Sequence, residues 1–496
     1  MSLSLTIIII VVAVLLFLIA FILIRTMIYT GQAFVASSAD LNAPDLPPLE
    51  LDITETAKHL SEAVQVKTIS HEDPAEDNAE YFTLLQKEFE IMYPHVHQVM
   101  HKEVVGGCSL IYTWVGSNPE LDPVLFTSHQ DVVPADPDSL DQWTYPPFSG
   151  EIADGFIWGR GTLDIKSQVI SLFEASEKLI VNGYQPERTV ILAFGHDEEV
   201  LGEGAKKIVA RLQENDIHLE ALVDEGGTII DGGLPGISGV AAMIGVAEKG
   251  YLSLKFSVEV EGGHSSTPSL ESAIGILSRA LVRLESNPFP TNISSAQPMF
   301  KGLAPASSLW MQMAFANLWL FKGFVLKQLS NNTETDAAIR TTTALTIIHS
   351  GVKDNILPGK AEAVVNFRLL PGTTIAETCE RVRKVINDER VQFEPLRGNA
   401  WEATPVSPSD SPAFRNLAAT ISDLFPGTVI TPYIVLGATD ARNYYSICEQ
   451  VYRFSPIVTT PDDLKRVHGI NERLSVDALG KMVSFFYDLI ARWSSN

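Results

Sequence analysis

Three short apolar runs in this chain each end in residues that bind cations. VLFT, residues 124–127, is followed by His129 and Asp131. TVILAF, residues 189–194, passes directly into His196, Asp197, Glu198 and Glu199 within FGHDEEVLG. LEALV, residues 219–223, ends in Asp224 and Glu225. Apolar runs of this length between polar segments read as buried strands. A buried strand that runs into unpaired charge is costly unless something compensates it. One acidic run alone fits a solvated loop. Helical patterns separate the three runs, and strand–helix alternation implies a largely parallel sheet flanked by helices, an α/β fold. Sites in such sheets lie beyond the C-terminal ends of the strands. His129, Glu198, Glu199 and Asp224 are therefore expected on one rim.

Neighbouring residues fit the same rim. Asp131 stands two positions after His129, a spacing that suits a carboxylate holding the second nitrogen of a metal-bound ring. GRGTLD delivers Asp164 to the start of a helix that buries Val169, Leu172 and Phe173 and stops at Gly183; alone, Asp164 would read as an N-cap. Near the C-terminus VHGINE supplies His468. Ser475 then caps a last helix with Leu479, Met482, Val483, Phe486 and Ile490 on its apolar face.

At Gly250 the periodicity changes. YLSLKFSVEVEGG alternates, with Leu252, Leu254, Phe256, Val258 and Val260 on one face, as does KAEAVVNFRLLPG through Ala363, Val365 and Phe367. These are half-exposed antiparallel strands. With the amphipathic helix around Ile274–Leu284 they predict an inserted α+β domain over residues 250–370. The main domain is expected over 51–249 and again from 371 to 496, resuming with ETCERVRKVIND.

The N-terminus points to a membrane. Residues 3–24 carry no charge, and 22 helical residues span about 33 Å, enough for a hydrocarbon core. MSLSL has no basic residue and no AxA cleavage site follows, so an uncleaved transmembrane anchor over 1–27 is preferred to a cleaved signal. Residues 28–50 read as a linker. Arg25 alone gives orientation little support; the globular part is expected to be extracytoplasmic or luminal. The 36 basic and 60 acidic residues leave a net charge of −24, which disfavours nucleic acid and anionic surfaces as partners. Cys108, Cys379 and Cys448 form no disulfide framework or metal motif. Residues 308–329, SLWMQMAFANLWLFKGFVLKQL, are unusually apolar but broken by Gln312, Asn317, Lys322 and Gly323, so they do not read as a second span. They are expected to pack into the inserted domain or a subunit interface, to wall the site, or to rest on the membrane.

The ordered set HxD, GRGTLD, DEE, DEGG, GGHSS, NFRLLPG, GATDAR and HGINE resembles the dizinc metallopeptidases of the aminoacylase and carboxypeptidase S family, from about residue 50 to the C-terminus. Within it the chain looks most like carboxypeptidase S and the N-fatty-acyl-amino-acid synthase/hydrolase. The resemblance implies two Zn²⁺ per chain, with His129 and Asp224 on one, Glu199 and His468 on the other, and Asp164 bridging. In DEGG, Glu225 is the alternative to Asp224. The resemblance further implies that Asp131 orients His129, that Glu198 is the general base, and that His264 of the inserted domain stabilises an oxyanion, across a homodimer formed through that domain. Arg368, Asn355 and Arg442 are the candidate substrate contacts, Arg368 because a guanidinium grips a carboxylate bidentately. The implied reaction is hydrolysis of the amide that joins a C-terminal amino acid to a peptide or N-acyl group. The alternatives are a reversible N-fatty-acyl-amino-acid hydrolase/synthase and a membrane-tethered binding protein with a dead site.

Overall fold

The computed structural model describes residues 3–31, 46–71, 73, 79–232 and 236–495. Helix α1, Leu3–Gly31, contains the whole apolar stretch and continues four residues past the expected anchor. The rest of the expected linker, up to residue 45, lies outside the described residues. Helix α2, Ile53–Gln65, starts where the Asp52 carboxylate accepts the N–H groups of Thr54 and Glu55. It buries Ala57, Leu60, Ala63 and Val64. Helix α3, Ala79–Met92, follows.

The first half of the main unit runs through β1 (His101–Val105), β2 (Ser109–Trp114), β3 (Val124–His129), α4 (Lys166–Val181), β4 (Val190–Gly195), α5 (Gly204–Glu214) and β5 (Ala221–Asp224). The hairpin of β6 (Ile229–Asp231) and β7 (Val240–Glu248) follows. The chain then leaves through β8 (Gly250–Glu259) and α6 (Ala273–Ser286), passes α7 (Leu309–Ala316) and α8 (Leu318–Leu329), and returns through β9 (Thr342–Ser350), β10 (Lys360–Leu369), α9 (Ile375–Ile386) and β11 (Gln392–Trp401). Helix α10 (Pro412–Leu424), β12 (Val429–Val435), β13 (Val451–Arg453), β14 (Val458–Thr459) and α11 (Val476–Ser494) complete it.

The large sheet has ten strands in the order β1-β2-β4-β3-β5-β13-β7-β6-β14, with β12 beside β7. It is mixed. The central strands β4, β3, β5 and β13 are mutually parallel, and the pairs β1–β2, β2–β4 and β6–β7 are antiparallel. The three strands that end in candidate ligands are thus parallel neighbours, as their apolar runs predict. Strands β3 and β4 are buried along their length because helices α4 and α11 pack on one face and α5 lies against the other. Ser475 caps α11 by accepting the N–H of Ala478, and all five expected apolar residues of that helix are buried.

The second sheet is antiparallel, in the order β9-β10-β8-β11. Leu252, Leu254, Phe256, Val258, Ala363, Val365 and Phe367 point to one face and form a core with α6. The expected end of this unit at residue 370 is moved by the structure. Helix α9 contributes Val382 and Ile386 to the same core, and β11 pairs with β8, so the unit extends to Trp401. An amphipathic helix can cover either sheet; the long-range pairing of β11 decides which. Residues 293–339 form a separate small core around Phe300, Phe315, Val325 and Ile339.

Candidate metal centre

Parallel strands β3, β4 and β5 end side by side, and their terminal residues meet. His129 closes β3, where Nδ1 lies 3.0 Å from the carbonyl of Asp131 and 3.3 Å from its carboxylate. Its Nε2 faces Asp164 Oδ1 at 3.1 Å and Glu225 Oε1 at 2.9 Å. The other oxygen of Asp164 lies 3.0 Å from His468 Nε2, which is also 3.0 Å from Glu199 Oε2. Two groups result, His129–Asp164–Glu225 and Asp164–Glu199–His468, each with its ligand atoms within 4.8 Å of one another. They share Asp164.

Local structure explains the acid run after β4. Asp197 turns back to accept the N–H groups of Glu203 and Gly204, closing the turn into α5. Glu198 and Glu199 then face inward, and both of their N–H groups donate to Asp131. Asp131 is fully buried and also accepts the Ser70 hydroxyl at 2.6 Å. Gly195 is required at the strand end, because a Cβ there would lie 2.5 Å from Asp440 Oδ2. Asp164 precedes α4 but caps nothing: Ile165 is the N-cap, without a side-chain bond.

The structure brings Glu225, not the expected Asp224, beside His129 and Asp164. Asp224 accepts the N–H of Ala441 at 2.8 Å and that of Glu225 at 2.8 Å, so it braces the strand end from behind. Glu225, one residue on, reaches His129. Successive strand residues point to opposite faces, and an adjacent pair of acids does not reveal in sequence which face holds the site.

Two further residues escaped the sequence reading. Glu472, in HGINE, is fully buried and accepts Arg160 Nη1 at 2.6 Å together with the N–H groups of Gly161, Leu163 and Asp164. It holds the loop that presents Asp164. Asp440, in GATDAR, is buried behind the cluster. Both stand inside motifs already noted, and an acid within such a motif was the available signal.

The electrostatics suit cations. Burial raises the Glu225 carboxyl to about 8, with Asp164 and Asp224 adding to the rise. Burial likewise raises Glu198, helped by Glu225, Asp440 and Asp164, and lifts Asp440 to about 7 with help from Asp224. Hydrogen bonds to Asp164 and Glu199 raise His468 to about 10. Glu199 Oε1 and Asp440 Oδ2 are buried without a hydrogen-bond partner. Converging carboxylates with a buried, unpaired oxygen, joined by two imidazoles, are the donor set a pair of divalent cations takes.

The remaining candidates lie elsewhere. His264 is exposed on the second unit, its Nδ1 2.7 Å from the Ser266 hydroxyl. The Asn355 carbonyl accepts the N–H of Ser265 beside it. Neither contacts the cluster within one chain. Arg368 lies over the Tyr251 ring at 4.5 Å, Tyr251 stacks on Trp401 at 4.7 Å, and Arg442 lies over Trp401 at 5.2 Å. The two arginines therefore flank one aromatic stack of the second unit, and Arg442 reaches it from the main unit. Segment 308–329 supplies none of the cluster's ligands; its cavity of about 570 Å³ is bounded by residues such as Met311, Phe315 and Phe324.

The model of the peptidase family M20/M25/M40 matches residues 125–492. The chain belongs to this family. It is 41% identical over 441 residues to the probable carboxypeptidase S-like 2 of Dictyostelium discoideum, covering 88% of this chain and 84% of that one. It is 38% identical over 483 residues to the N-fatty-acyl-amino acid synthase/hydrolase PM20D1 of Xenopus tropicalis, covering 96% and 93%. The fold resembles the M20 family metallo-carboxypeptidase Sso-CP2 from Sulfolobus solfataricus, with a TM-score of 0.64, 16% identity, and coverage of 90% of this chain and 100% of that one. As an M20 protein the chain is a hydrolase of amide bonds, and its candidate metal groups fall within the matched region.

Proposed function

We propose that this M20 protein is a dizinc hydrolase that cleaves the amide between an acyl or peptidyl group and an amino acid with a free carboxylate. The carrying observation is the sharing of Asp164 between His129 and His468, at 3.1 and 3.0 Å. His129 and Glu225 would hold one cation and Glu199 and His468 the other, with Asp164 common to both. Zinc ions in such a site supply Lewis acidity, polarising a carbonyl and making water more acidic.

The chain's own groups do the rest. Glu198, held by its N–H on Asp131, takes a proton from the attacking water. The water oxygen adds to the carbonyl carbon, the C–N bond breaks, and Glu198 returns the proton to the leaving amine. A carboxyl whose proton affinity is raised by burial suits both transfers. Arg368, Arg442 and Asn355 would receive the substrate carboxylate. His264 of a second copy would face the oxyanion in a homodimer.

The relatives support two substrate readings, a C-terminal peptide residue and an N-fatty-acyl amino acid. The near-complete coverage of the synthase/hydrolase favours the second, run reversibly. An intact Glu198 counts against a dead binding protein. Helix α1 would anchor the enzyme in the membrane, with the catalytic unit outside the cytoplasm. The test is incubation of the full-length protein with zinc, a peptide panel, and N-acetyl and N-oleoyl amino acids, with products identified by mass spectrometry. Release of free amino acid, faster from long acyl chains, is expected; no amide cleavage from any substrate overturns the reading.

A further inference from the structure

Helix α1 is packed against the elbow where α7 meets α8. The two helices turn through 118° at Asn317. Asn317 is fully buried, and its Nδ2 donates to Met313 O at 2.9 Å, to Thr26 Oγ1 at 3.3 Å and to Ile22 O at 3.4 Å. Arg25 donates to the carbonyl of Ala316. The ring of Trp319 meets that of Phe21 edge-on, 6.3 Å between centroids. The elbow's polar corner is therefore satisfied internally, against the last turns of the apolar span.

These contacts fix a depth. Arg25 is the first charged residue after the apolar stretch. Phe21 lies four residues earlier, about 6 Å deeper at the helical rise. Trp319 sits at that level, where tryptophan is enriched at the edge of the hydrocarbon. Leu309, Trp310, Trp319, Leu320 and Phe324 are each 51–62% exposed and lie on the helices that meet at this elbow. Lys322 and Lys327 are exposed on α8, and their long stems let the charge reach the headgroups. The patch continues the exposed apolar surface of α1. A lipid surface covers both together, whereas a second copy of the chain would have to cover α1 as well.

We infer that the α7–α8 elbow is a second membrane contact, seated at the hydrocarbon boundary of the leaflet in which α1 ends. The catalytic unit is thereby held in one orientation on the bilayer. This rests on the reading of α1 as a membrane span.

The chain's seven tryptophans make a direct test. Trp114, Trp143, Trp158, Trp401 and Trp493 belong to the two sheet-bearing units, and α1 has none. The full-length protein is reconstituted in phosphatidylcholine vesicles with or without bromine on the acyl chains. Flotation of the vesicles scores the anchor, and amide hydrolysis of a soluble substrate scores the fold. Bromine-dependent quenching of the wild type is expected, and its loss in W310F/W319F, with flotation and hydrolysis unchanged. Flotation without quenching overturns the inference, as does equal quenching in the double variant. A detergent-solubilised dimer lacking any quenching in vesicles would assign the patch to a second copy instead. Failure to float removes the anchor and this inference together, and leaves the hydrolase reading to its own assay.

Discussion

Asp131 accepts the backbone N–H of Glu198 through Oδ1 at 3.2 Å. Its other oxygen accepts the N–H of Glu199 at 3.1 Å, and the same carboxylate lies 3.3 Å from His129 Nδ1. One buried side chain thus ties the end of β3 to the turn after β4, and sets His129, a proposed ligand, and Glu198, the proposed base, relative to each other. Asp131→Asn keeps the shape but loses the charge that favours the ring's orientation. Changes at partners behind metal ligands typically cost ~10–100-fold in activity or metal affinity. A loss of that size in kcat is expected, with some fall in melting temperature because the Asn amide turns a donor toward one of the two backbone N–H groups; full activity would remove Asp131 from the site's support.

Glu225 and Asp224 separate by what they lose. Glu225→Gln should lower the bound metal with little change in the stability of the metal-free protein. Asp224→Ala leaves two buried N–H groups without their acceptor, a cost of about 1–3 kcal/mol for each group left unsatisfied. Metal analysis and urea unfolding on both variants check this. The reverse pattern would restore Asp224 as the ligand.

Asp164→Ala should impair both cations and His468→Ala chiefly one, because only Asp164 belongs to both groups. Metal content per chain decides it. Two zinc ions retained in folded Asp164→Ala would reject the shared carboxylate.

Much of this was legible in sequence because local pattern and site coincide. Apolar runs ending in His129, Glu198 and Glu199 mark both the strands and the residues that cluster at their ends, and alternation through Leu252–Val258 names the second sheet. What stayed hidden depends on distant pairing or on facing. Strand β11 joins β8 across more than a hundred residues, so the local pattern of α9 does not show which sheet it covers. Asp224 and Glu225 differ only in the face they present. The contact of Asn317 with Ile22 and Thr26 joins segments that share no sequence signal.

Arg453 and Glu248 form an ion pair at 2.6 Å with both side chains fully buried. Glu248 also accepts the Thr439 hydroxyl, next to Asp440. Removing one partner of a buried pair strands the other charge, at about 3–5 kcal/mol. Arg453→Met should lower stability by that order in urea unfolding, and adding Glu248→Gln should recover part of it. No recovery in the double variant would show that packing, not charge, is lost.

The most direct measurement is metal content and turnover on one sample of full-length Glu198→Gln loaded with zinc. Glu198 belongs to neither group of candidate ligands. The expected result is two zinc ions per chain, as in the wild type, with kcat for amide hydrolysis down by ~10²–10⁴-fold, the usual contribution of a general base. Wild-type turnover would contradict its role as the base, and a lost zinc ion would make it a ligand and break the two-group assignment.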